Sequence, residues 1–295
     1  MNILVLGSRG QVGWELSRSL LPLGHVIALS REQLDLADVS ALCDAVQSAR
    51  PALIVNAAAY TAVDKAESEV DAAIKANAVA PSILAEEAAR IGALLIHYST
   101  DYVFDGNSAK PYTETDATLP LGVYGRSKLA GEQAIAASGC DHLILRTSWV
   151  YGARGQNFMR TMLRLAQERE TLRVVADQTG APTWARWIAD ATAQIAFQAQ
   201  QKRAAQMFAS GLYHLTCSGA TTWHGFADEI ISGYRQLHPQ TPLTARKIEA
   251  ITTAEYPTPA RRPANSRLDC ARIAADYGIT CPDWKDALAL CLREL

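Results

Sequence analysis

The sequence predicts an α/β fold, a doubly wound parallel sheet with a smaller mixed C-terminal lobe. Three observations predict it. Short apolar runs alternate with amphipathic stretches over the first 150 residues or so. The apolar runs are almost continuously hydrophobic, as expected for parallel strands that are covered on both faces. A glycine-rich turn follows the first of them.

The first two strand–helix units are clear in the sequence. The first amphipathic stretch has Val12, Leu16 and Leu20 at helical spacing and ends at Gly24. Asp38 is placed to cap the second helix, which Pro51 would end. In order, these elements are NILVLG (strand), GQVGWELSRSLLPLG (helix), HVIALS (strand) and DVSALCDAVQSARP (helix).

The alternation continues to Gly152. A long helical stretch covers roughly 67–90, and a loop rich in Gly, Pro, Asp and Thr runs to about residue 122. His97 lies in the fourth strand, where a structural role is favoured. The helix with Tyr124 follows the loop. The strands of this part are ALIVNAAA, ALLIHYST and HLILRTSWVYG, the last predicted as one strand.

After Gly152 the pattern is looser, which predicts a second lobe built from later segments. Thr222 is placed to cap the last long helix. We assign 1–152 and about 171–221 to a dinucleotide-binding domain, and about 153–170 and 222–295 to a substrate-binding lobe. The elements are FMRTMLRLAQERE (helix), LRVVADQTGAPT (strand, then loop), ARWIADATAQIAFQAQ (helix), GLYHLTCSG (strand) and TTWHGFADEIISGYRQL (helix).

Composition excludes several functional classes. The chain has 295 residues, 49% of them hydrophobic, and a formal net charge of −2. This balance argues against a nucleic-acid partner. No apolar run approaches membrane length, and no signal peptide is recognisable, so we expect no membrane association and a cytoplasmic location. The six cysteines and six histidines are scattered, which predicts no zinc site.

The first turn, GSRGQVG, places Gly7, Gly10 and Gly13 between strand one and helix one. Glycine allows a tight turn and a close approach to a pyrophosphate, and the helix N-terminus offers free N–H groups. A glycine trio alone is weak evidence, but this position favours a Rossmann-type nucleotide site. Gln11 and Val12, within the turn, are included among the candidate cofactor residues.

The end of the second strand suggests which cofactor binds. NAD-binding proteins commonly carry an acid there for the ribose 2′-hydroxyl. Here Ser30 and Arg31 occupy the position, which weakly favours NADPH over NADH, although Glu32 is adjacent. Asp35 and Leu36 are placed to flank the adenine, with a turn cap as the alternative role for Asp35.

Tyr124 and Lys128 are four residues apart, so they share one face of a helix. A nearby ammonium favours the phenolate and lowers the pKa of a tyrosine, which suits a proton donor. Ser99 and Thr100 come directly after the fourth strand, at the sheet edge where such folds bind ligands. A hydroxyl there can hydrogen-bond a carbonyl oxygen while Tyr124 donates a proton.

These motifs resemble the extended short-chain dehydrogenase/reductases, and more closely the dTDP-4-dehydrorhamnose reductases. The resemblance spans nearly the whole chain. It implies reduction of the C4 ketone of dTDP-4-dehydro-L-rhamnose to give dTDP-L-rhamnose. The blocks that carry it are NAAAYTAVDKAE (56–67), HYSTDYVFDG (97–106), YGRSKLAGE (124–132), RTSWVYG (146–152), NFMRTML (157–163), DQTGAPT (177–183) and RRPANSRLD (261–269).

The resemblance also implies residue roles. Tyr124 would be the general acid, Lys128 would hold the nicotinamide ribose, and Thr100 would complete the catalytic triad. The cofactor would pass along Ala57, Ala58, Ala59 and Tyr60, with Ser99, Tyr124 and Lys128 also in contact. Substrate would contact Thr100, Asp101, Tyr124, Trp149, Asn157, Arg262 and Asn265.

One position departs from the family. Some members bind Mg²⁺ through glutamates at a dimer interface, and Glu15 is present here. Where a further acid is expected, after DQTGAPT, the chain has Trp184 and Arg186. A cation would lose a ligand and meet a like charge, so we expect no metal there. A homodimer remains compatible with the resemblance.

Two other functions remain open. Another nucleotide-sugar epimerase or dehydratase of the extended family would share the fold, but a dehydratase usually has an acid pair beside the threonine. Here Tyr102 follows Asp101, which argues against dehydration. A non-catalytic regulatory subunit of the same fold is the third alternative, but it would not need to keep Thr100, Tyr124 and Lys128 together.

Overall fold

A computed structural model describes all residues, 1–295. Its centre is a six-stranded sheet in the order β2-β1-β3-β4-β5-β10, and every pairing in it is parallel. The predicted doubly wound sheet is therefore confirmed. Its strands are β1 Asn2–Leu6, β2 His25–Leu29, β3 Leu53–Asn56, β4 Leu94–Thr100, β5 His142–Thr147 and β10 Gly211–His214. The remaining strands are β6 Val150–Tyr151, β7 Thr171–Val175, β8 Thr179–Gly180, β9 Thr183–Trp184, β11 Thr221–Thr222 and β12 Lys247–Ile251.

Helices cover both faces of this sheet. Leu16 and Ile188 belong to the core on one face, and Leu42 and Leu84 belong to the core on the other. None of the helices combines the length and the apolar character needed to cross a membrane. The helices are α1 Gln11–Ser19, α2 Val39–Ala49, α3 Val63–Ala66, α4 Val70–Ile74, α5 Ala80–Ile91, α6 Val123–Ala137, α7 Phe158–Glu168, α8 Ala185–Ala204, α9 Trp223–Leu237, α10 Ala271–Tyr277 and α11 Trp284–Leu292.

Two predicted elements are divided in the structure. The helical stretch of roughly 67–90 consists of α4 and α5 joined by a π-helical turn, Lys75–Val79. The strand predicted across HLILRTSWVYG ends at Thr147, and β6 resumes at Val150. Trp149 causes this break because its φ of 48° is left-handed, a conformation rare for a bulky residue.

Both predicted helix caps are present. The Asp38 side chain accepts a hydrogen bond from the backbone N–H of Ala41, and the Thr222 side chain accepts one from Gly225. These bonds satisfy N–H groups that have no partner within the first turn of a helix. Local sequence patterns therefore located the starts of α2 and α9 correctly.

The smaller lobe packs α7, α9 and α11 around Phe226. Strand β7 pairs in parallel with β12, and Leu172 and Val174 of β7 belong to this lobe's core. The sequence had assigned about 171–221 to the dinucleotide-binding domain. Because the partner of β7 comes about 75 residues later, the pairing could not be read locally. We therefore propose to place 171–184 in the lobe, with α8 and β10 kept in the larger domain.

Candidate active site

A cleft of about 1010 Å³ runs along the carboxyl ends of the sheet strands. This is the edge where doubly wound sheets bind ligands. All the predicted cofactor residues line it except Gly13 and Ser30. Those that line it are Gly7, Gly10, Gln11, Val12, Arg31, Asp35, Leu36, Ala57, Ala58, Ala59, Tyr60, Ser99, Tyr124 and Lys128.

The glycine turn brings the backbone to the floor of this cleft. Gly7 has φ of 82°, a left-handed conformation that favours glycine. A Cβ on Gly13 would lie 2.0 Å from the carbonyl oxygen of Gly7, so Gly13 permits close packing and does not line the cleft. Gly10 precedes α1 and makes no side-chain cap. The N-terminus of α1 is therefore open for an anion.

Basic and acidic side chains meet at the end of β2. The Arg31 side chain is 87% exposed, and its Nε lies 3.8 Å from the Asp35 carboxylate. Arg9 pairs with Glu32 at 2.8 Å, and the Ser30 hydroxyl donates to the same carboxylate at 2.7 Å. That hydrogen bond is the main cause of a lowered pKa for Glu32. Sequence reasoning did not include Arg9 among the cleft residues.

Tyr124 lies at the cleft, close to Thr100 and Asp101. The Thr100 hydroxyl donates to the Asp101 carboxylate at 3.0 Å, and both residues are buried. Burial raises the pKa of Tyr124 to about 12; a hydrogen bond with Thr100 opposes this shift, and the charge of Asp101 adds to it. Burial also raises the pKa of Asp101 to about 6.

Lys128 points away from bulk water. Its Nζ donates to the carbonyl oxygen of Tyr98 at 2.6 Å and lies 3.1 Å from Nε2 of His97. Only 2% of Lys128 is exposed. Burial dominates and raises the pKa of Tyr124, which is opposite to the direction expected from its spacing to Lys128.

Contacts distant in sequence fix helix α6, which carries both residues. The Glu67 carboxylate accepts a hydrogen bond from the Val123 N–H at 2.8 Å, where Gly122 provides no side-chain cap. Asn77, in the π-helical turn, donates to the Ser127 hydroxyl at 3.0 Å. Sequence reasoning missed Glu67 and Asn77, because neither position carries a local signal for these contacts.

Several polar atoms at the site have no partner within the protein. They are Ser99 Oγ and Thr147 Oγ1, which belong to residues lining the cleft, and Asp101 Oδ2. Buried polar groups are nearly always hydrogen-bonded, so unpaired ones at a cleft mark places where a ligand can bind. Thr147, Lys75, Gly155 and Gln156 line the cleft without having been predicted.

Two predicted substrate residues make extensive contacts of their own. The Trp149 ring stacks on Trp223 with centroids 3.5 Å apart, and a Cβ on Gly180 would lie 2.5 Å from it. Asn157 caps α7 by accepting from Arg160, and its amide donates to Gln11 at 2.9 Å. Their roles toward substrate stay predictions.

Arg262 and Asn265, also predicted to contact substrate, join segments that are distant in the sequence. The Arg262 guanidinium pairs with Asp64 at 2.8 Å, linking the C-terminal segment to α3. The Asn265 amide donates to the carbonyl oxygens of Ser108 and Lys110 at 2.8 and 2.9 Å. These two bonds occupy both amide hydrogens of Asn265. The contacts of Arg262 and Asn265 with substrate stay predictions.

At the position of the suspected metal site, Glu15 is paired within the chain. Arg186 Nε lies 3.0 Å from the Glu15 carboxylate, and the same guanidinium also pairs with Glu294. No group of three or more His, Cys, Asp or Glu side chains is arranged to hold a metal ion.

Comparison with known proteins identifies the family. A family model described as RmlD substrate binding domain matches residues 1–295. The dTDP-4-dehydrorhamnose reductase of Burkholderia thailandensis is 54% identical, with 100% of this chain and 99% of that protein aligned. The Escherichia coli K12 protein of the same name is 48% identical over 100% of this chain and 98% of its own length.

A solved structure supports the same family assignment. The dTDP-4-dehydrorhamnose reductase of Bacillus anthracis in complex with NADP superposes with a TM-score of 0.88 at 32% identity, covering 100% of this chain and 99% of that one. These matches cover both lobes and the cleft between the sheet edge and α6. The chain therefore belongs to the dTDP-4-dehydrorhamnose reductase family.

Proposed function

We propose that this protein is an NAD(P)H-dependent reductase that converts dTDP-4-dehydro-L-rhamnose to dTDP-L-rhamnose, a nucleotide sugar for cell-surface polysaccharide. Full-length relatives that are 54% and 48% identical bear the name dTDP-4-dehydrorhamnose reductase. The observation that carries the proposal is the position of Tyr124 at the cleft, with its hydroxyl beside Thr100. A phenol and a second hydroxyl are the groups needed to protonate a ketone oxygen.

The residues of the cleft fit a nicotinamide dinucleotide. The open N-terminus of α1 suits a pyrophosphate, and Ala57, Ala58 and Ala59 leave room along the cleft. The unpaired hydroxyls of Ser99 and Thr147 offer hydrogen bonds near Tyr124. We propose that these residues, with the other predicted cofactor residues, hold the dinucleotide.

When bound, the nicotinamide supplies a hydride to C4 of the sugar. Tyr124 holds the proton that must reach the C4 oxygen, and its raised pKa keeps that proton in place at neutral pH. Thr100 is placed to hydrogen-bond the same oxygen once its hydroxyl turns away from Asp101, to which it donates in the free protein. After transfer, the phenolate regains a proton from solvent, so hydride and proton together account for the two hydrogens added to the ketone.

Substitution of the general acid tests the proposal directly. Tyr124→Phe removes the hydroxyl and keeps the ring, so we expect a loss of kcat of about 100-fold or more with cofactor binding retained. The assay follows absorbance at 340 nm after addition of dTDP-4-dehydro-L-rhamnose, with identification of the sugar product. Lack of turnover by the wild-type protein would reject the function, whereas near-normal turnover of the variant would reject only the role of Tyr124.

We also propose a preference for NADPH over NADH. The support is the pair of arginines, Arg9 and Arg31, at the end of β2, where a 2′-phosphate would lie. Glu32 competes for Arg9 in the free protein. Arg31→Asp should therefore raise KM for NADPH and shift the ratio of kcat/KM values toward NADH. An unchanged ratio would show that Arg31 is only a solvated side chain.

We propose finally that Glu15 does not bind Mg²⁺ in this protein. Its carboxylate is neutralised by Arg186 at 3.0 Å, so a metal would have to displace a guanidinium. The residues present do not fit the metal site known from some relatives. Isothermal titration with MgCl₂ should give no binding heat in the wild-type protein. Binding that is lost in Glu15→Gln would contradict the proposal.

A further inference from the structure

We propose that the guanidinium of Arg186 is a built-in cation that ties the smaller lobe to helix α1, at the place where some family members bind Mg²⁺. Arg186 is the second residue of α8, directly after the segment 171–184 that we place in the lobe. Its side chain lies between Glu15 of α1 and Glu294, which is two residues beyond the end of α11. The inference concerns the frame around the cleft and goes beyond the proposed reaction.

Arg186 binds the carboxylate of Glu15 through two nitrogens. Its Nε lies 3.0 Å from Oε2, and its Nη2 lies 3.3 Å from Oε1. A planar guanidinium matches both oxygens of a carboxylate, which makes this contact stronger and more directional than an ion pair with lysine. The Glu15 side chain is only 10% exposed, so water screens the contact weakly. Hydrogen bonding to Glu15 is the main cause of a raised pKa for Arg186, which is therefore charged.

The third nitrogen of the same guanidinium, Nη1, pairs with the carboxylate of Glu294. Burial raises the pKa of Glu294, the charge of Arg186 lowers it, and the nearby charge of Glu15 adds to the rise. The two carboxylates therefore repel each other, and the guanidinium between them offsets that repulsion. One side chain thus joins acids from two different parts of the fold.

Two other arginines lie nearby, but neither can replace Arg186. Arg18 Nε is 3.6 Å from Glu15, while its Nη2 pairs with Asp190 at 3.0 Å on the protein surface. The guanidinium of Arg154 lies over an indole ring of α1, 4.2 Å from the ring centroid. Neither forms ion pairs with both carboxylates. Arg186 is the one cation that contacts the two acids together.

The tie connects the two sides of the cleft. The N-terminus of α1 is open at the cleft, where a pyrophosphate would bind, and α11 belongs to the core of the smaller lobe. A divalent cation held by carboxylates could join the same elements, since Mg²⁺ prefers carboxylate oxygens. The guanidinium does this without a metal. Arg186 touches no reacting atom and is a positioning residue.

Reversal of the charge at this position tests the proposal. Arg186→Glu removes the tie and adds a third carboxylate, so in EDTA the midpoint of thermal unfolding should fall by at least about 5 °C. Addition of MgCl₂ to about 10 mM should recover at least about half of that loss, because the three carboxylates can then share the metal. The midpoint of the wild-type protein should be the same in EDTA and in MgCl₂.

A matched control separates this recovery from a general effect of Mg²⁺ on acidic surfaces. Arg18→Glu makes the same charge change beside Glu15 but leaves Arg186 in place, so MgCl₂ should not raise its midpoint. The proposal would be overturned if Mg²⁺ stabilised the wild-type protein, or if Arg186→Glu were as stable as wild type in EDTA. Lack of recovery of Arg186→Glu in MgCl₂ would also overturn it.

A double-mutant cycle tests the tie if Arg186→Glu does not fold. Arg186→Met and Glu294→Gln each remove one partner, so the loss of stability in the double variant should be smaller than the sum of the two single losses. Arg186→Met combined with Glu86→Gln, an exposed change on α5 across the sheet, should give additive losses. Additive losses for Arg186 and Glu294 would show that they are not coupled and would reject the tie.

The outcome is independent of the reductase activity. Unfolding is followed by circular dichroism without cofactor or sugar, so the tie is measured in the free protein. If the wild-type protein failed to reduce dTDP-4-dehydro-L-rhamnose while Mg²⁺ restored Arg186→Glu as expected, the proposed function would fail and the tie would stand. Turnover by the wild-type protein with additive losses in the cycle would give the opposite result.

Discussion

Glu67 offers a sensitive test of how the fold positions the proposed general acid. Its carboxylate accepts the Val123 N–H at 2.8 Å, one residue before Tyr124. The residue before a helix usually caps it with its side chain, but Gly122 has none. The Glu67 carboxylate takes over this role from a distant position in the sequence. We predict that Glu67→Ala loosens the first turn of α6 and displaces Tyr124.

The magnitude follows from two separable contributions. A capping hydrogen bond is worth about 1 kcal/mol, and a carboxylate at a helix N-terminus adds about 0.3–1 kcal/mol through the helix dipole. Glu67→Ala loses both, so the free energy of unfolding should fall by about 1–2 kcal/mol. Glu67→Gln keeps an oxygen for the Val123 N–H and loses only the charge, so its fall should be about 0.3–1 kcal/mol.

Activity should respond more strongly than stability. A displacement of about 1 Å at a reacting group can cost about 100-fold in rate, so we expect kcat of Glu67→Ala to fall at least about tenfold. Urea unfolding and the 340 nm assay measure the two effects. Glu86→Ala, an exposed change on α5, is the control and should alter neither. Equal kcat for Glu67→Ala and wild type would refute the view that this cap holds Tyr124 in place.

Two further predictions concern other contacts. Gly180→Ala should push the Trp149 indole from its place, lower stability by about 1–3 kcal/mol and change tryptophan fluorescence, whereas Gly152→Ala, with its nearest contact at 3.5 Å, should be tolerated. An unshifted spectrum for Gly180→Ala would contradict this packing. Burial lowers the pKa of His214 to about 3, so the unfolded chain takes up this proton first and stability falls as pH drops from about 6.5 toward 3. Urea unfolding of His214→Leu should show a shallower decline over that window, and parallel profiles would contradict it.

The features that the sequence predicted well are those set by neighbouring residues. Asp38 and Thr222 cap helices because their side chains reach N–H groups three residues ahead. The first turn also depends on neighbouring residues. Gly7 has a left-handed φ, and Gly13 packs against the carbonyl oxygen of Gly7, so both positions require glycine. The continuous apolar runs predicted the parallel strands because a strand buried on both faces does not alternate between apolar and polar residues.

The features that were missed depend on distant partners. Glu67 caps a helix that begins 56 residues later, and β7 finds its partner β12 beyond two intervening helices. The left-handed φ of Trp149 interrupts a run whose residues all favour a strand. In each case the local pattern was compatible with the predicted element, and a tertiary contact or an unusual backbone conformation decided the outcome.

The chemistry of the Tyr–Lys pair illustrates the same limit. Spacing alone predicts that Lys128 lowers the pKa of Tyr124, yet burial raises the pKa of the tyrosine to about 12 and lowers that of the lysine to about 8. Both shifts favour neutral forms. A general acid works best when its pKa lies near the operating pH, so a phenol with a pKa of about 12 holds its proton firmly in the free protein. Spacing therefore predicts that the two residues share a helix face, whereas the burial of both side chains, which spacing does not reveal, determines the direction of their pKa shifts.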